Sequence, residues 1–260
     1  MKLVKNINSD RRMLMKIAVI IKAGLEHLQT YTSYKNKVTY HPENLFLSTE
    51  DKSALEYALQ LIEVKGGLID AYSFEQGEVA DRILHEAMAL GANTATKIVT
   101  GDLKDPMQQN YLVKKLIQYL KNEGKKYDLI ITGYSSFSQF AAIIADKLKM
   151  NYYDQLTNID VNFNYEMKLE KGILKGQCEL PMVITNLSSI NTPRLANFSA
   201  VKKAINSKIT EVSFKKLNKQ KVSQIKVETE KSEKMIFNLD NDPDATSKLI
   251  TLLERNGIMR

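Results

Sequence analysis

The sequence predicts an α/β protein with a doubly wound, mostly parallel sheet, a β-hairpin addition and an extended C-terminal arm. Short apolar runs rich in β-branched residues alternate with amphipathic segments of helical period between residues 15 and 149. Strands joined through helices pair in parallel and are covered on both faces. After residue 150 this alternation stops, and residues 206–238 are polar and rich in lysine.

The first strand is predicted over residues 15–22, a short apolar run that ends before Gly24. Ser48 can cap the helix that follows, because Asp51 stands three residues later in the capping-box position. Gly66-Gly67 ends this helix. The chain therefore begins with the strand and helix of a β-α-β unit.

The next elements continue the alternation of strand and helix. The helix over residues 78–90 has the most regular apolar stripe, and Gly91 is its expected stop. Proline at a first helical position opens a later helix. The predicted order is strand 68–74, helix 78–90, strand 97–100, a helix opened by Asp105-Pro106, strand 128–132 and helix 138–148.

The C-terminal part does not continue the alternation of strands and helices. Residues 158–174 alternate apolar and polar side chains, which predicts a hairpin with its turn near Asn164-Tyr165. A strand follows over 180–187, a short strand-like run over 224–227, and a last helix that Asp242-Pro243-Asp244 opens. We therefore divide the chain into an N-terminal extension (1–14), one α/β domain (15–205) and a C-terminal arm that packs on a partner subunit (206–260).

Composition excludes several classes of protein. The 260 residues contain no run of 18 apolar residues, so no membrane insertion is expected. Cys178 is the only cysteine, which rules out an intramolecular disulfide and a cysteine zinc site and favours a reducing cytoplasm. Residues 202–234 hold ten lysines and four glutamates. Without an arginine cluster or interleaved aromatic residues, this basic segment indicates a solvated face or a steering surface for a protein, and no nucleic acid.

The loop after the predicted strand 128–132 is the best small-molecule site. Ligands of open parallel sheets bind beyond the carboxyl ends of the strands. Gly133 and three serines lead into a helix here, so backbone N–H groups and hydroxyls could hold a phosphate. The alternative is that the serines only cap the helix. No catalytic motif is visible, and Cys178 is interpreted as an inert thiol.

Residues 180–204 carry a family resemblance. The strand Leu180-Pro181-Met182-Val183-Ile184-Thr185, the turn Asn191-Thr192-Pro193-Arg194 and the lysines that follow resemble the beta subunit of electron transfer flavoprotein. The segments 54–59, 86–92 and 128–133 resemble further parts of that family in the same order. The resemblance implies a Rossmann-like fold of the adenine nucleotide alpha hydrolase type. It also implies a heterodimer with an electron transfer flavoprotein alpha subunit that holds most of the FAD, and AMP or a second FAD in the beta subunit.

The resemblance also implies site residues. Phe198 falls where the family exposes a leucine that docks partner proteins, with Arg194, Lys202 and Lys203 around it. His27 lies where the family often has a tyrosine near the flavin of the alpha subunit. The phosphate loop is about four residues shorter than in the family and offers fewer N–H groups, which weakens the prediction of AMP or a second FAD. The implied nucleotide contacts are Ile20, Ser48, Thr49, Glu50, Asp51, Phe74, Gly133, Tyr134, Ser135, Ser136, Phe137, Ser138 and Gln139.

The resemblance implies an electron-carrier subunit that performs no bond chemistry of its own. It would shuttle electrons through flavin between dehydrogenases and an acceptor such as a quinone reductase. The alternative is a diverged structural or adenine-nucleotide-sensing subunit that has lost electron transfer. A nucleotide hydrolase is a third possibility, but no set of phosphate-cleaving residues is visible.

Overall fold

The computed structural model describes residues 14–25, 31–34, 37–40, 42–100, 109–133, 138–185, 190–214 and 242–255. The chain forms two compact units. The larger unit comprises residues 1–32 and 38–220, and the smaller comprises residues 33–37 and 221–260. The elements of the described residues are, in chain order, β1 Met15–Ile21, β2 Ala23–Leu25, β3 Tyr31–Tyr34, β4 Lys37–Tyr40, β5 Leu45–Leu47, α1 Thr49–Lys65, β6 Gly67–Ser73, α2 Gly77–Leu90, β7 Thr94–Val99, α3 Gln109–Asn122, β8 Leu129–Thr132, α4 Ser138–Leu148, β9 Asn151–Tyr153, β10 Leu156–Ile159, β11 Asn164–Leu169, β12 Gly172–Gln177, β13 Met182–Ile184, α5 Phe198–Ile205, β14 Thr210–Ser213 and α6 Ala245–Arg255.

A seven-stranded sheet organises the larger unit. Its strand order is β14-β7-β6-β1-β8-β13-β9, and all neighbouring strands pair in parallel. After β1 the chain first adds β6 and β7 on one side, and then β8 on the other side. The predicted doubly wound, parallel α/β fold is therefore confirmed, with the point where the strand order reverses between β1 and β8.

Two apolar clusters cover the two faces of the sheet. On β1, Ile17, Val19 and Ile21 pack into the cluster that includes α1 and α2, whereas Ala18 and Ile20 pack into the cluster that includes α3 and α4. Successive side chains of a strand point to opposite faces, so a strand buried on both faces is apolar throughout. This is why residues 17–21 of the first strand form a continuous apolar run in the sequence.

The predicted hairpin over residues 158–174 is wrong in extent. A three-stranded antiparallel sheet forms instead, in the order β10-β11-β12. The first turn lies before Asn164, because the Asp160 carboxylate accepts the N–H groups of Asn162 (2.8 Å) and Asn164 (2.9 Å). The predicted turn at Asn164-Tyr165 is thus the start of β11, and a second turn at residues 170–171 adds β12.

Other boundaries also differ from the prediction. The strand predicted over residues 97–100 spans Thr94–Val99, because Asp70 of β6 already pairs with Thr94. The Asn93 side chain helps to start this pairing by accepting the N–H of Ile69 at 2.7 Å. The strand predicted over 180–187 is only Met182–Ile184. The predicted opening of a helix at Asp105-Pro106 and the strand-like run 224–227 lie outside the described residues.

β14 is an edge strand of the large sheet, although it follows residue 205. Lys97 of β7 links β14 to α2. Its Nζ lies 3.2 Å from Glu211 of β14 and 2.8 Å from Asp81 of α2. Both hydrogen bonds raise the pKa of Lys97, that from Asp81 most. The proposed boundary at residue 205 stays a prediction.

The smaller unit contributes one described helix, α6. Its first turn is fixed from the preceding segment, because Asp242 accepts the N–H of Asp244 at 3.1 Å and pairs with Lys248 at 2.6 Å. Among the helices of the described residues, none is long and apolar enough to cross a membrane.

Candidate functional site

The carboxyl ends of β1 and β8 form the crevice where the strand order reverses. Lys22 directly follows β1, and Gly133 directly follows β8. In open α/β sheets such a crevice is the usual place for a ligand. The N-terminus of α1 lies over it, because Ser48 and Asp51 contact both strand ends.

The Asp51 carboxylate links three elements at this crevice. Its Oδ2 accepts the backbone N–H of Lys22 at 2.9 Å and the hydroxyl of Ser48 at 2.7 Å. Its Oδ1 accepts the N–H of Gly133 at 2.9 Å. One side chain of α1 therefore ties β1 and β8 together at their carboxyl ends.

The predicted N-cap at Ser48 is confirmed, since its hydroxyl oxygen accepts the N–H of Asp51 at 3.1 Å. The second half of a capping box is absent at this turn. The N–H of Ser48 donates to the carbonyl of Lys22 at 3.3 Å, which leaves the Asp51 carboxylate for the strand ends.

Gly133 allows the close approach of α1. A Cβ atom at this position would lie 2.3 Å from Asp51 Oδ1 and 2.8 Å from the backbone nitrogen of Asp51. Backbone atoms of a helix start cannot move aside as a side chain can. The glycine at the end of β8 is therefore a packing requirement of the Asp51 contact.

Burial dominates the charge state of Asp51, which is only 2% exposed. Desolvation raises its pKa to about 6, although Lys22, Ser48 and Gly133 all favour the ionised form. Near neutral pH the carboxylate is ionised and accepts all three hydrogen bonds.

Two threonines continue the polar edge next to Gly133. The hydroxyl of Thr132 donates to that of Thr185 at 2.7 Å, and Thr185 donates to the carbonyl of Gly133 at 3.3 Å. Both residues are buried. No sequence pattern predicts this pair, because the two residues meet only when β8 and β13 become neighbours.

The other residues predicted to contact a nucleotide differ in burial and position. Ile20 is buried in the cluster with α3 and α4, and Phe74 packs on that cluster with its ring edge-on to Phe140 at 5.4 Å. Thr49 is exposed, and Glu50 lies beside Gly133. Of α4, the backbone of Ser138 and Gln139 is described. His27, Tyr134, Ser135, Ser136 and Phe137 lie outside the described residues.

The described residues fit an adenine nucleotide only in part. The two backbone N–H groups nearest the strand ends, those of Lys22 and Gly133, are already engaged by Asp51. A phosphate at this point would face a carboxylate.

Arg194, predicted to contact partners, makes ion pairs within the chain. Its Nε and Nη2 donate to Glu56 at 2.8 and 3.0 Å, and its Nη1 donates to Glu63 at 2.6 Å. The backbone N–H of Arg194 also donates to Glu56, at 3.2 Å. Burial of Glu56 alone would raise its pKa, but the hydrogen bonds from Arg194 outweigh burial and lower it. Arg194 therefore fixes the loop of residues 190–197 on α1.

The segment after Arg194 exposes two large apolar side chains. Leu195 is 94% exposed and Phe198 is 84% exposed. Phe198 is the first residue of α5, whose N-cap Asn197 accepts the N–H of Ala200 at 2.8 Å. Lys202 and Lys203 are exposed on the same short helix. Leu195 follows the Pro-Arg turn directly and lies within residues 194–203, the segment predicted to dock partners, but the sequence did not single it out.

A separate polar cluster surrounds Asp70 and offers no open site. Asp70 accepts hydrogen bonds from Thr94 (2.6 Å), Lys125 (3.1 Å) and Tyr127 (2.5 Å). Tyr127 and Lys125 also contact the hydroxyl of Tyr72. Burial would raise the pKa of Asp70, but these donors lower it. Because the polar groups satisfy one another, we assign this cluster a structural role.

The parallel sheet, with its crevice between the ends of β1 and β8, defines a doubly wound, Rossmann-like α/β protein. Residues 37–217 match the model of the electron transfer flavoprotein domain. A protein of Bacillus subtilis (strain 168) described as electron transfer flavoprotein subunit beta is 25% identical over 211 residues, which cover 78% of this chain and 81% of that relative. A protein of the same description from Thermoanaerobacterium thermosaccharolyticum is 26% identical over 171 residues, 62% of this chain and 64% of the relative.

The family match spans more than half of the chain, so this protein belongs to the electron transfer flavoprotein family, as a diverged member of its beta-subunit branch. The predicted family is confirmed.

Proposed function

We propose that this chain is the beta-type subunit of a heterodimeric electron transfer flavoprotein and acts as an electron carrier. It would pair with an electron transfer flavoprotein alpha subunit that holds most of the FAD. Family membership supports this proposal, together with the exposed Phe198, which directly follows the loop that Arg194 fixes to α1. The buried thiol of Cys178 suits a reducing compartment, and we propose the cytoplasm.

FAD, when bound, supplies reversible uptake and release of electrons. The residues of this chain then position and dock the partners. Lys202 and Lys203 place positive charge beside Phe198, which attracts an acidic partner surface over a distance and speeds encounter. Phe198 supplies an apolar anchor for a small, transient interface, through which electrons pass from a dehydrogenase and on to an acceptor such as a quinone reductase.

The first test is co-expression with the alpha subunit of the same organism. We expect a yellow one-to-one complex, one FAD released per heterodimer on denaturation, and bleaching of the flavin by at least one of a panel of purified acyl-CoA dehydrogenases with their substrates. A colourless chain that forms no complex would refute the electron-carrier proposal.

Phe198→Ala tests the anchor. Truncation of an interface anchor costs about 2 kcal/mol, so KM for the heterodimer as electron acceptor should rise about 30-fold. Heterodimer formation and reduction by dithionite should not change. Ile173→Ala, which removes an exposed apolar side chain from β12, is the matched control. An unchanged KM for Phe198→Ala would remove Phe198 from the docking surface.

A second candidate function is a structural or nucleotide-sensing subunit without electron transfer. The engagement of both strand-end N–H groups by Asp51 favours its structural form, because those two groups are not available to the phosphate of AMP or of a second FAD at this point. The nucleotide content of the purified heterodimer distinguishes a nucleotide-binding crevice from a purely structural subunit. A second adenine nucleotide in each heterodimer would favour a nucleotide-binding crevice, whereas absence of both flavin and dehydrogenase activity would favour the structural subunit.

A further inference from the structure

A groove lies beside Phe198, between α2 and the segment that ends in α5. Its volume is about 630 Å³. Its walls are mainly apolar: Ala89 and Leu90 come from α2, Leu195 and Ala196 from the loop, and Val201 and Ile205 from α5. Leu195, almost fully exposed, stands at its edge. We call this feature the α2–α5 groove.

The walls of the groove are fixed by contacts that lie around it. His85 Nε2 on α2 lies 3.3 Å from the carbonyl oxygen of Ser207, just after α5. Lys52 on α1 pairs with Glu86 on α2 at 3.1 Å. The ion pairs of Arg194 hold the loop that carries Leu195. Because three elements are tied together in this way, the groove is present before any partner binds.

The charged residues at the groove are already engaged. Lys52 is paired with Glu86, and Arg194 is paired with Glu56. Arg82 donates to the carbonyl oxygens of Glu43 and Leu45 at 3.0 and 2.9 Å. The lining therefore favours an uncharged apolar group over a small ion.

The segment that forms one wall of the groove, residues 190–210, has one sign of charge, whereas Glu86 on the opposite wall is paired with Lys52. Residues 190–210 contain Arg194, Lys202, Lys203 and Lys208 and no acidic residue. Within the described part of the chain, the three lysines of this segment have no ion pair. A second copy of this chain would bring the same cations to the contact, so charge disfavours self-association. An occupant whose apolar side chain is flanked by carboxylates complements both the groove and its surroundings.

We propose that the α2–α5 groove receives an apolar side chain of the partner dehydrogenase, flanked on the partner by acidic residues. This inference rests on the proposed function and deepens it. Docking then has two apolar contacts of opposite sense: Phe198 enters the partner, and the partner enters the groove. Two such contacts fix the orientation of a small interface, which one anchor leaves free to rotate.

The test fills the groove of the intact heterodimer from two sides. Ala89→Leu enlarges a wall residue of α2, and Ala196→Leu enlarges one of the loop. Ala200→Leu is the matched control, because Ala200 lies on α5 but does not line the groove. Electron transfer is measured with the dehydrogenase of the panel that reduces the wild-type heterodimer, and dithionite reduction and the unfolding temperature report on the fold.

We expect both filling variants to raise KM for the heterodimer about tenfold, because a side chain excluded from its pocket costs roughly 1.4 kcal/mol. kcat at saturation, dithionite reduction and the behaviour of Ala200→Leu should stay at wild-type values. The loop variant keeps the test decisive if Ala89→Leu does not fold.

Three results would overturn the inference. An unchanged KM in both filling variants, with Phe198→Ala still impaired, removes the groove from docking while the proposed function stands. A small apolar molecule released by the denatured wild type, but not by the filled variants, assigns the groove to that molecule. A wild-type heterodimer that no dehydrogenase reduces overturns the proposed function and the occupant of the groove with it.

Discussion

The pair between Arg194 and Glu56 should carry much of the order of the docking loop, and Arg194→Ala tests this. The substitution removes the two side-chain hydrogen bonds to Glu56 and the one to Glu63. The Glu56 side chain is only 7% exposed, so it would keep a buried charge with Gln60 at 3.1 Å as its remaining side-chain donor.

The size of the effect follows from burial. Removal of one partner of a buried ion pair costs about 3–5 kcal/mol. The Arg194 side chain is 37% exposed, so water can replace part of the lost interaction. We therefore expect a loss of about 2–3 kcal/mol in the free energy of unfolding.

The assay is urea unfolding followed by far-UV circular dichroism, because the chain has no tryptophan. The folded pKa of Glu56 is lowered, so the pair contributes stability above the carboxyl's ordinary pKa and loses it as the pH falls through the folded pKa. The difference between wild type and Arg194→Ala should therefore shrink as the pH falls below about 4.5. Lys147→Ala, which removes a pair between exposed residues, is the control and should cost less than about 0.5 kcal/mol.

A difference below about 0.5 kcal/mol that does not depend on pH would refute the reasoning. It would mean that apolar contacts hold the loop and that the Arg194–Glu56 pair contributes little to the free energy of unfolding. The position of Phe198 would then not depend on the Arg194–Glu56 pair.

Two further predictions concern the crevice. Gly133→Ala should destabilise the protein by about 1–3 kcal/mol, because the new methyl group meets the backbone of Asp51. Gly176→Ala, whose methyl group would lie nearest the side chain of Tyr165, should cost less, and equal urea midpoints would contradict the close contact. The raised pKa of Asp51 means that the folded state holds this proton more tightly than the unfolded state, so stability should fall by about 3 kcal/mol as the pH rises from about 3 to about 7, with about 2 kcal/mol of that fall between pH 4 and 6. Asp51→Asn should lack this slope in urea unfolding measured across the same pH range, and parallel wild-type and variant curves would show that Asp51 does not titrate there.

The fold could be predicted because its signals are local. The apolar run of β1, the cap at Ser48 and the glycines that end α1 and α2 act within a few residues, and their order restricts the topology to a doubly wound sheet. The three-stranded sheet after residue 155 was predicted only in part, because Asp160 sets the turn through its own side chain, an interaction that alternation of apolar residues does not reveal.

The sequence by itself determined the family and the parallel sheet, because both follow from short local motifs and from their order along the chain. Only the tertiary structure decided what the charged residues do. Asp51 engages Gly133, 82 positions away, and Arg194 engages Glu56, 138 positions away. A carboxylate or guanidinium side chain can pair with many partners, and the one it finds is set by which strand ends and helix faces the fold brings together. For that reason the N–H of Gly133, a predicted nucleotide contact, is engaged by the Asp51 carboxylate, and Arg194, a predicted partner contact, pairs with Glu56 and Glu63.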